Sequence, residues 1–177
     1  MKRLIELAKG IKDKKLRELT ISFLKDLKPR NKSFEKWGKE MKSLEKAYGG
    51  PSEFHHSYEG GLIDHTVSVT KLALAIAKHL KEFYGIEINE DVLISASLLH
   101  DVTKVFCFEK SGEVVVHKPT PMDHLTWACC ELYARGFPEE VIHCVASHAG
   151  QQGLTQPRSV EAWILFFADA IDASIES

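Results

Sequence analysis

The chain has 177 residues, of which 44% are hydrophobic and 27% charged, and its formal net charge is −2 at pH 7. This length fits one compact domain with a sizeable core, and the composition excludes a disordered or fibrous chain. The longest apolar run covers only positions 162–168, far less than the roughly 20 residues that cross a bilayer. The basic start has no apolar h-region after it, so no signal peptide is predicted and we expect a cytoplasmic protein with no membrane partner.

The four cysteines stand at positions 107, 129, 130 and 144, without a Cys-x-x-Cys pair. Neither a zinc ribbon nor a thioredoxin-like redox site is therefore predicted. In the cytoplasm we expect four reduced thiols, most of them buried.

Charge is distributed unevenly along the chain. Residues 1–50 hold 15 Lys and Arg against 7 Asp and Glu, whereas residues 51–177 hold 8 against 18. We interpret 1–50 as a basic N-terminal extension that packs on a main domain at 51–177. Such an arm can bind an anionic partner such as RNA, or can be a solvated helical face. Its helices are also a candidate surface for homo-oligomer formation.

The periodicity predicts a mostly helical chain with one small β-hairpin. Apolar spacing predicts a helix over 2–9 and a second that begins after an N-cap at Asp13 and ends near Leu27. A third is predicted from Ser33 to Ala47, before the break at 49–51. Further helices are expected over 61–83, from 90 to 101–104, and over 122–135, 138–147 and 159–174. The hairpin is predicted to pair 105–108 with 114–116.

Histidines and aspartates recur in the apolar stretches of these helices. They are His65, His100, Asp101, His124, His148 and Asp169. One polar residue on a core-facing stripe is usually a satisfied core residue, but a buried unpaired carboxylate is very costly. A single cation site shared by all the helices would resolve each of these burial problems, and bundle interiors commonly hold such sites.

Four stretches carry a specific resemblance: FHHSYEGGLIDHT (54–66), LLHDVTK (98–104), SHAG (147–150) and ADAIDA (168–173). Their order of histidines and aspartates resembles the HD-domain superfamily of metal-dependent phosphohydrolases. The likeness runs from about position 51 to the end. It is greatest to a subgroup that includes bacterial 3′–5′ exoribonucleases carrying an oligonucleotide-binding fold. The resemblance implies an all-α HD-domain helical bundle with one small β-hairpin and an N-terminal helical extension.

The resemblance also implies a ligand set. His65, His100, Asp101 and Asp169 would hold one metal, and Asp101 would bridge to a second held by His124 and His148. Imidazole and carboxylate ligands suit one or two divalent transition metals, Mn, Fe, Co, Ni or Zn. A metal-activated water would then attack phosphorus.

Three further positions are candidates for roles beside the metals. Lys104 lies three residues after Asp101 and is predicted to contact the substrate phosphate. His55 and His56 are candidates for substrate contact or for structural caps. Asp172, one turn after Asp169, either orients a ligand or faces solvent. The remaining three histidines, His79, His117 and His143, are interpreted as surface or packing residues.

Two departures from the family pattern narrow the function. Ala149 stands where many relatives have a second histidine, which favours two metals or one over three. The N-terminal region shows no strand-rich oligonucleotide-binding module.

We expect a phosphomonoesterase or phosphodiesterase acting on a nucleotide or related small phosphate. The alternatives are a 3′–5′ exonuclease acting on RNA or DNA ends and a non-catalytic, metal-stabilised binding module.

Overall fold

Eight α-helices and a two-stranded hairpin make up the computed structural model, which describes residues 1–53 and 56–175. The α-helices are α1 Lys2–Ala8, α2 Lys14–Lys25, α3 Glu35–Glu40, α4 Gly61–Tyr84, α5 Glu90–Leu99, α6 His124–Ala134, α7 Glu139–Ser147 and α8 Val160–Ser174. The strands are β1 Phe108–Ser111 and β2 Val114–His117, and short 3₁₀ turns cover Lys32–Phe34, Leu44–Lys46, Val102–Phe106 and Gly150–Gln152. The all-α fold with a single hairpin is as predicted.

Side-chain caps set the start of several helices. Asp13, Asn89, Asp123 and Ser159 each accept a hydrogen bond from a backbone N–H in the first turn of the helix that follows. These bonds satisfy amide groups that have no partner inside the helix. The capping residue Asp13 was recognisable in the sequence, and helix α2 begins where predicted.

The longest helix, α4, has its buried residues between Gly61 and Ala77 and ends with the exposed Phe83 and Tyr84. It packs along α5 and α8, while α5 also contacts α2 and α7. Helix α5 has eight consecutive buried positions, from Val92 to Leu99, because other helices cover it on all sides. The residues that directly follow α5 therefore enter the deepest part of the protein.

The first 50 residues share the hydrophobic core of the rest of the chain. Helix α1 packs against α4 and α5, and the Phe23 ring of α2 lies 6.2 Å from that of Phe137. The carboxylate of Glu131 in α6 accepts the backbone N–H of Arg30, and Arg135 donates to the carbonyl of Lys28. Apolar packing and buried polar contacts thus both join the basic segment to the acidic body.

Two predicted elements were wrong in extent. The third helix ends at Glu40, and Met41 is extended (φ −70°, ψ 145°). The chain leaves the helix there because Leu44 and Tyr48 are drawn into the core. The carbonyl of Ala47 then accepts hydrogen bonds from the backbone N–H groups of Gly60 and Leu62, at the start of α4. Tertiary contacts therefore override the helical pattern over 41–47.

The first strand of the hairpin also begins later than predicted. Positions 105–107 lie in and directly after the 3₁₀ turn and are buried, and pairing runs from Phe108 with His117 to Ser111 with Val114. Gly112, at φ +63°, supplies the left-handed conformation that the two-residue turn requires. A short apolar run does not by itself distinguish a strand from a buried turn.

None of the helices in the described residues combines the length and hydropathy needed to cross a bilayer. All four cysteines are free thiols; Cys107 and Cys144 are buried, Cys129 is partly buried and Cys130 is exposed. The expectation of mostly buried thiols therefore holds for only part of the set.

Phe23→Ala should lower the free energy of unfolding by about 3–5 kcal/mol, because a large buried ring that packs on Phe137 and under the Arg135 guanidinium is lost. Urea denaturation measures this. Tyr133→Ala removes an aromatic side chain that is 80% exposed and should change the value by no more than about 0.5 kcal/mol. Equal effects of both substitutions would show that the N-terminal segment is not part of the cooperative core.

Candidate metal centre

Five helices bring the six predicted ligand side chains to one place. His65 is in the second turn of α4, His100 and Asp101 directly follow α5, His124 is the first residue of α6, His148 directly follows α7, and Asp169 lies in α8. Each side chain leaves a helix that also contributes to the core, so the packing of the bundle fixes their relative positions.

Asp101 lies between two groups of histidines. Its Oδ2 is 3.2 Å from His65 Nε2 and 3.4 Å from His100 Nε2. Its Oδ1 is 3.3 Å from His124 Nε2 and 3.6 Å from His148 Nε2. The residue is 1% exposed, so one buried carboxylate faces a different pair of imidazoles with each oxygen.

Asp169 completes the first group. Its Oδ1 is 3.1 Å from His65 Nε2 and 3.6 Å from His100 Nε2. One ligand atom from each of His65, His100, Asp101 and Asp169 lies within 4.8 Å of all the others, and the same holds for Asp101, His124 and His148. The described residues thus offer two adjacent cation sites that share Asp101.

Backbone carbonyls orient two of the imidazoles. His100 Nδ1 donates to the carbonyl of Ser97 at 2.8 Å, and His148 Nδ1 donates to that of Val145 at 2.7 Å. With Nδ1 used in this way, Nε2 faces the centre of the cluster in both residues. A histidine at the C-terminal end of a helix can reach the carbonyl three residues back, but the spacing alone did not reveal this role.

Asp172 orients the third imidazole. Its Oδ2 accepts a hydrogen bond from His65 Nδ1 at 2.7 Å and one from His56 Nε2 at 3.0 Å. The side chain of Asp172 is only 7% exposed, which argues against the solvent-facing alternative. That Asp172 orients a metal ligand stays a prediction.

His56 is held in an unusual backbone conformation. Its φ of +55° lies in the left-handed region, and it alone among the described non-glycine residues has a positive φ. Gly49 donates to the His56 carbonyl at 2.8 Å, and a Cβ on Gly61 would overlap the His56 backbone. Glycines at both positions let this segment lie against the start of α4. Strained residues of this kind cluster at functional sites.

A hydrogen-bond chain links the N-terminal helix to this region. Arg3 of α1 donates to Asp64, whose other oxygen accepts from the Tyr58 hydroxyl at 3.0 Å. The same hydroxyl lies 3.2 Å from His56 Nδ1. Sequence reasoning missed this connection, because residues 61 positions apart gave no local signal of pairing. The N-terminal segment thereby helps to position the cluster.

Opposing effects set the protonation of the two deepest histidines. Burial lowers their pKa, but hydrogen bonds with Asp101, Asp169 and Asp172 raise the pKa of His65 to about 10. The charges of Asp101 and Asp169 likewise outweigh burial at His100 and raise its pKa to about 9. Without a metal, protons supply the positive charge that the buried carboxylates require.

The pKa values of Asp101 and His124 are shifted downward instead. Burial disfavours charge on Asp101, yet Lys104 and His100 hold its pKa well below the usual value. Burial lowers the pKa of His124 to about 3, although Asp101 opposes this. His124 is consequently neutral at pH 7 and keeps a lone pair available for a cation.

Lys104 lies at the edge of the cluster. Its Nζ is 2.6 Å from Asp101 Oδ2, and its side chain is 13% exposed. The side chains of Asp169 and His124 are 18% and 25% exposed, whereas those of His65 and His100 are fully buried. Solvent therefore reaches the cluster from the side of Lys104, Asp169 and His124.

The remaining predicted positions fall outside this arrangement. His55 lies outside the described residues. His79 and His117 are exposed; the His79 ring stacks on Phe83, and the His117 ring lies 4.6 Å from that of Phe108 in a tilted arrangement. His143 accepts the backbone N–H of Arg158 at 3.0 Å. The structure brings none of these last three histidines to the His/Asp cluster, in agreement with their interpretation as surface or packing residues.

Comparison with known proteins places this geometry in a family. The model of the HD domain matches residues 62–174. A dihydroneopterin 2′,3′-cyclic phosphate phosphodiesterase of Methanocaldococcus jannaschii is 45% identical over 177 residues, which cover 99% of this chain and 70% of that protein. The 3′–5′ exoribonuclease YhaM of Oceanobacillus iheyensis is 32% identical over 142 residues, covering 72% of this chain and 43% of the exoribonuclease.

A more distant relative is the ribonuclease Y of Desulforamulus reducens, 31% identical over 125 residues that cover 71% of this chain and 21% of that protein. The chain thus spans less than half of either ribonuclease. No solved structure gives a significant match. The family match includes all six clustered side chains, and the resemblance to the exoribonucleases is confirmed. The chain therefore belongs to the HD-domain family, whose members are metal-dependent phosphohydrolases.

Proposed function

We propose that this protein is a phosphodiesterase that hydrolyses a small cyclic phosphodiester of the nucleotide type at a centre of two divalent transition metals. The observation that carries the proposal is the buried Asp101, which presents its two oxygens to separate pairs of histidines. The substrate class is supported by the M. jannaschii relative, a cyclic-phosphate phosphodiesterase that aligns with 99% of this chain.

The residues of the cluster fit the proposed metals. Asp101 Oδ1 is buried without a hydrogen-bond partner in the described part of the chain, and such a group calls for a cation. His65, His100 and Asp169 would hold one metal and His124 and His148 the other, with Asp101 bridging. The mixed imidazole and carboxylate set suits Mn, Fe, Co, Ni or Zn. It offers no second histidine after His148, which favours two metals over three.

The metals would supply Lewis acidity and a water of lowered pKa. The side chains then perform the remaining tasks. Asp172 holds His65 with Nε2 toward the centre, and the carbonyls of Ser97 and Val145 do the same for His100 and His148. We assign to Lys104, on the open side of the cluster, an electrostatic contact to a phosphate oxygen.

His56 is assigned a positioning role. Its Nε2 bonds to Asp172 and its Nδ1 lies within hydrogen-bond distance of the Tyr58 hydroxyl. Both ring nitrogens are thus engaged, which supports an action through Asp172 and His65 over protonation of a leaving group.

We further propose that residues 1–50 form an extension and 51–177 the catalytic unit.

Nuclease activity is the second candidate. The excess of basic residues over 1–50 and the similarity to YhaM favour it. Phosphate contacts by this segment would give RNA binding that weakens steeply with salt. Binding of short RNA measured between 50 and 200 mM salt tests it, and absence of binding or independence of salt would exclude this candidate.

The main proposal predicts metal-restored hydrolysis of 2′,3′-cyclic phosphates. The substrate panel also contains phosphate monoesters, linear diesters and short RNA. Chelator-treated protein should hydrolyse none of these substrates, and added Mn, Fe, Co, Ni or Zn should restore hydrolysis of the cyclic phosphates. Asp101→Asn should reduce turnover by more than about 100-fold, because both metals lose a ligand. Glu113→Gln, on the exposed hairpin turn, should leave it unchanged. Full activity of Asp101→Asn, or activity that survives metal removal, would contradict the proposal.

Asp172→Asn should weaken metal binding by about 10- to 100-fold, because the His65 imidazole loses the carboxylate that orients it and raises its basicity. Calorimetric titration of metal into chelator-treated protein measures the affinity. His79→Gln, on the exposed side of the same helix as His65, is the control. Unchanged affinity in Asp172→Asn would mean that the contact is not coupled to the metal centre.

The metal-free protein should lose stability as the pH rises. His65 and His100 have pKa values of about 10 and 9 in the folded protein against 6.5 for a free histidine. Their protonation therefore stabilises the fold fully below pH 6.5, and this contribution disappears as the pH rises through 9 to 10. Thermal unfolding of chelator-treated protein between pH 6.5 and 10 measures the decline, which His100→Gln should reduce and His79→Gln should not. A thermal stability that does not change over this pH range would show that His65 and His100 are not protonated in the metal-free protein.

A further inference from the structure

A cavity of about 340 Å³ lies between the segment after α7 and the N-terminal half of α8. Gly150, Gln151, Gln152, Gln156, Trp163 and Phe166 are among the residues that line it. The proposed hydrolysis does not use any of these side chains. The cavity is within the size range of small-molecule sites.

Each wall of the cavity belongs to a segment that also carries a residue of the His/Asp cluster. On one wall, Ala149 directly follows His148. On the other, Phe166 and Trp163 precede Asp169 by three and six residues in α8, which places them about 4.5 and 9 Å from it along the helix axis. A sugar or a short polyol would have to span the distance between a cluster-bound phosphate and the cavity.

The wall after α7 is fixed against α8. Gly150 has a φ of +57°, and a Cβ at this position would overlap the Phe166 ring. Gln156 Nε2 donates to the Gly150 carbonyl at 3.1 Å, and Leu154 donates to the carbonyl of Ala146 at 3.0 Å. The absence of a side chain at Gly150 lets the backbone lie directly on the aromatic ring, so the cavity is preformed.

The lining residues combine aromatic faces with amide groups. Trp163, which is 43% exposed, and Phe166 have ring centroids 6.0 Å apart. Three glutamines add amide side chains that each offer hydrogen-bond donors and an acceptor. No charged residue is among the described lining residues. Such a lining complements a neutral planar ring with amide-like edges, and it excludes a second phosphate as the favoured ligand.

We propose that this cavity binds the ring of the substrate, a fused two-ring heteroaromatic with an amide-like edge, of the purine or pterin class. This inference rests on the proposed function, since it is the phosphate at the metal centre that brings the ring to the cavity. Trp163 stacks on the ring and the glutamine amides bind its edge. These contacts select among cyclic phosphodiesters that all offer the same phosphate to the metals.

Kinetics with metal-loaded protein test the assignment. The substrates are guanosine 2′,3′-cyclic phosphate, dihydroneopterin 2′,3′-cyclic phosphate and the ring-less glycerol 1,2-cyclic phosphate. Loss of base stacking in Trp163→Ala should raise KM for at least one ring-bearing substrate by at least about fivefold and change that for the glycerol ester less than about twofold. Comparing the change in KM for the guanosine ester with that for the dihydroneopterin ester distinguishes a purine site from a pterin site. Trp163→Phe should restore much of the affinity, and Phe83→Ala, an exposed aromatic on α4, should have no effect.

Equal effects of Trp163→Ala on all three substrates, or no preference of the wild type for a ring, would overturn the inference while leaving the proposed function in place. A wild type that hydrolyses none of the substrates with any metal would instead refute the proposed function.

Fluorescence then tests the cavity independently of turnover. Guanosine 3′-monophosphate added to metal-loaded protein should quench tryptophan emission, and Trp163→Phe should abolish the quench while Trp37 and Trp127 remain. If neither guanosine 3′-monophosphate nor neopterin 3′-monophosphate quenches the emission, the ring site is refuted.

Discussion

The burial of Asp101 is the constraint on which the rest of the site depends. Its carboxylate is 1% exposed and one oxygen lacks a hydrogen-bond partner among the described residues, an arrangement that would be very costly without nearby positive charge. Lys104 supplies that charge when no metal is bound, together with the imidazoles of His65 and His100, whose raised pKa values keep them protonated. Protons and the proposed metal ions would compete for the same nitrogens, so we expect metal affinity to rise with pH.

The bundle maintains this costly arrangement because each proposed ligand belongs to an element that the core already fixes. Helices α4, α5 and α8 pack on one another, and the proposed ligands His65, Asp101 and Asp169 meet where the three helices approach. Local hydrogen bonds then set the ring orientations. The N-terminal helix contributes through Arg3, which is connected to His56 by Asp64 and Tyr58. Residues 1–50, which contain none of the proposed ligands, are therefore connected to the cluster by hydrogen bonds.

Much of this could be predicted from the sequence. Helical periodicity and caps such as Asp13 located most of the helices. Charged or polar residues in apolar stretches suggested a shared cation site, since a buried carboxylate has few structural explanations, and the resemblance to the HD-domain superfamily supplied the ligand set. The third helix and the first strand were misplaced because Leu44, Tyr48 and Phe106 are buried by distant contacts. The link between His56 and Asp172 spans 116 positions, and the cavity walls come from segments that meet only in the fold. Neither carries a local signal.

The proposed metal centre depends most directly on Asp101 being shared by two metals. Native mass spectrometry of chelator-treated protein titrated with Mn²⁺ counts the ions bound to each chain. Two ions are predicted for the wild type and one for the double variant His124→Gln, His148→Gln, which keeps His65, His100 and Asp169 intact. A wild type that binds no ion, or a double variant that binds as many ions as the wild type, would contradict the proposed centre.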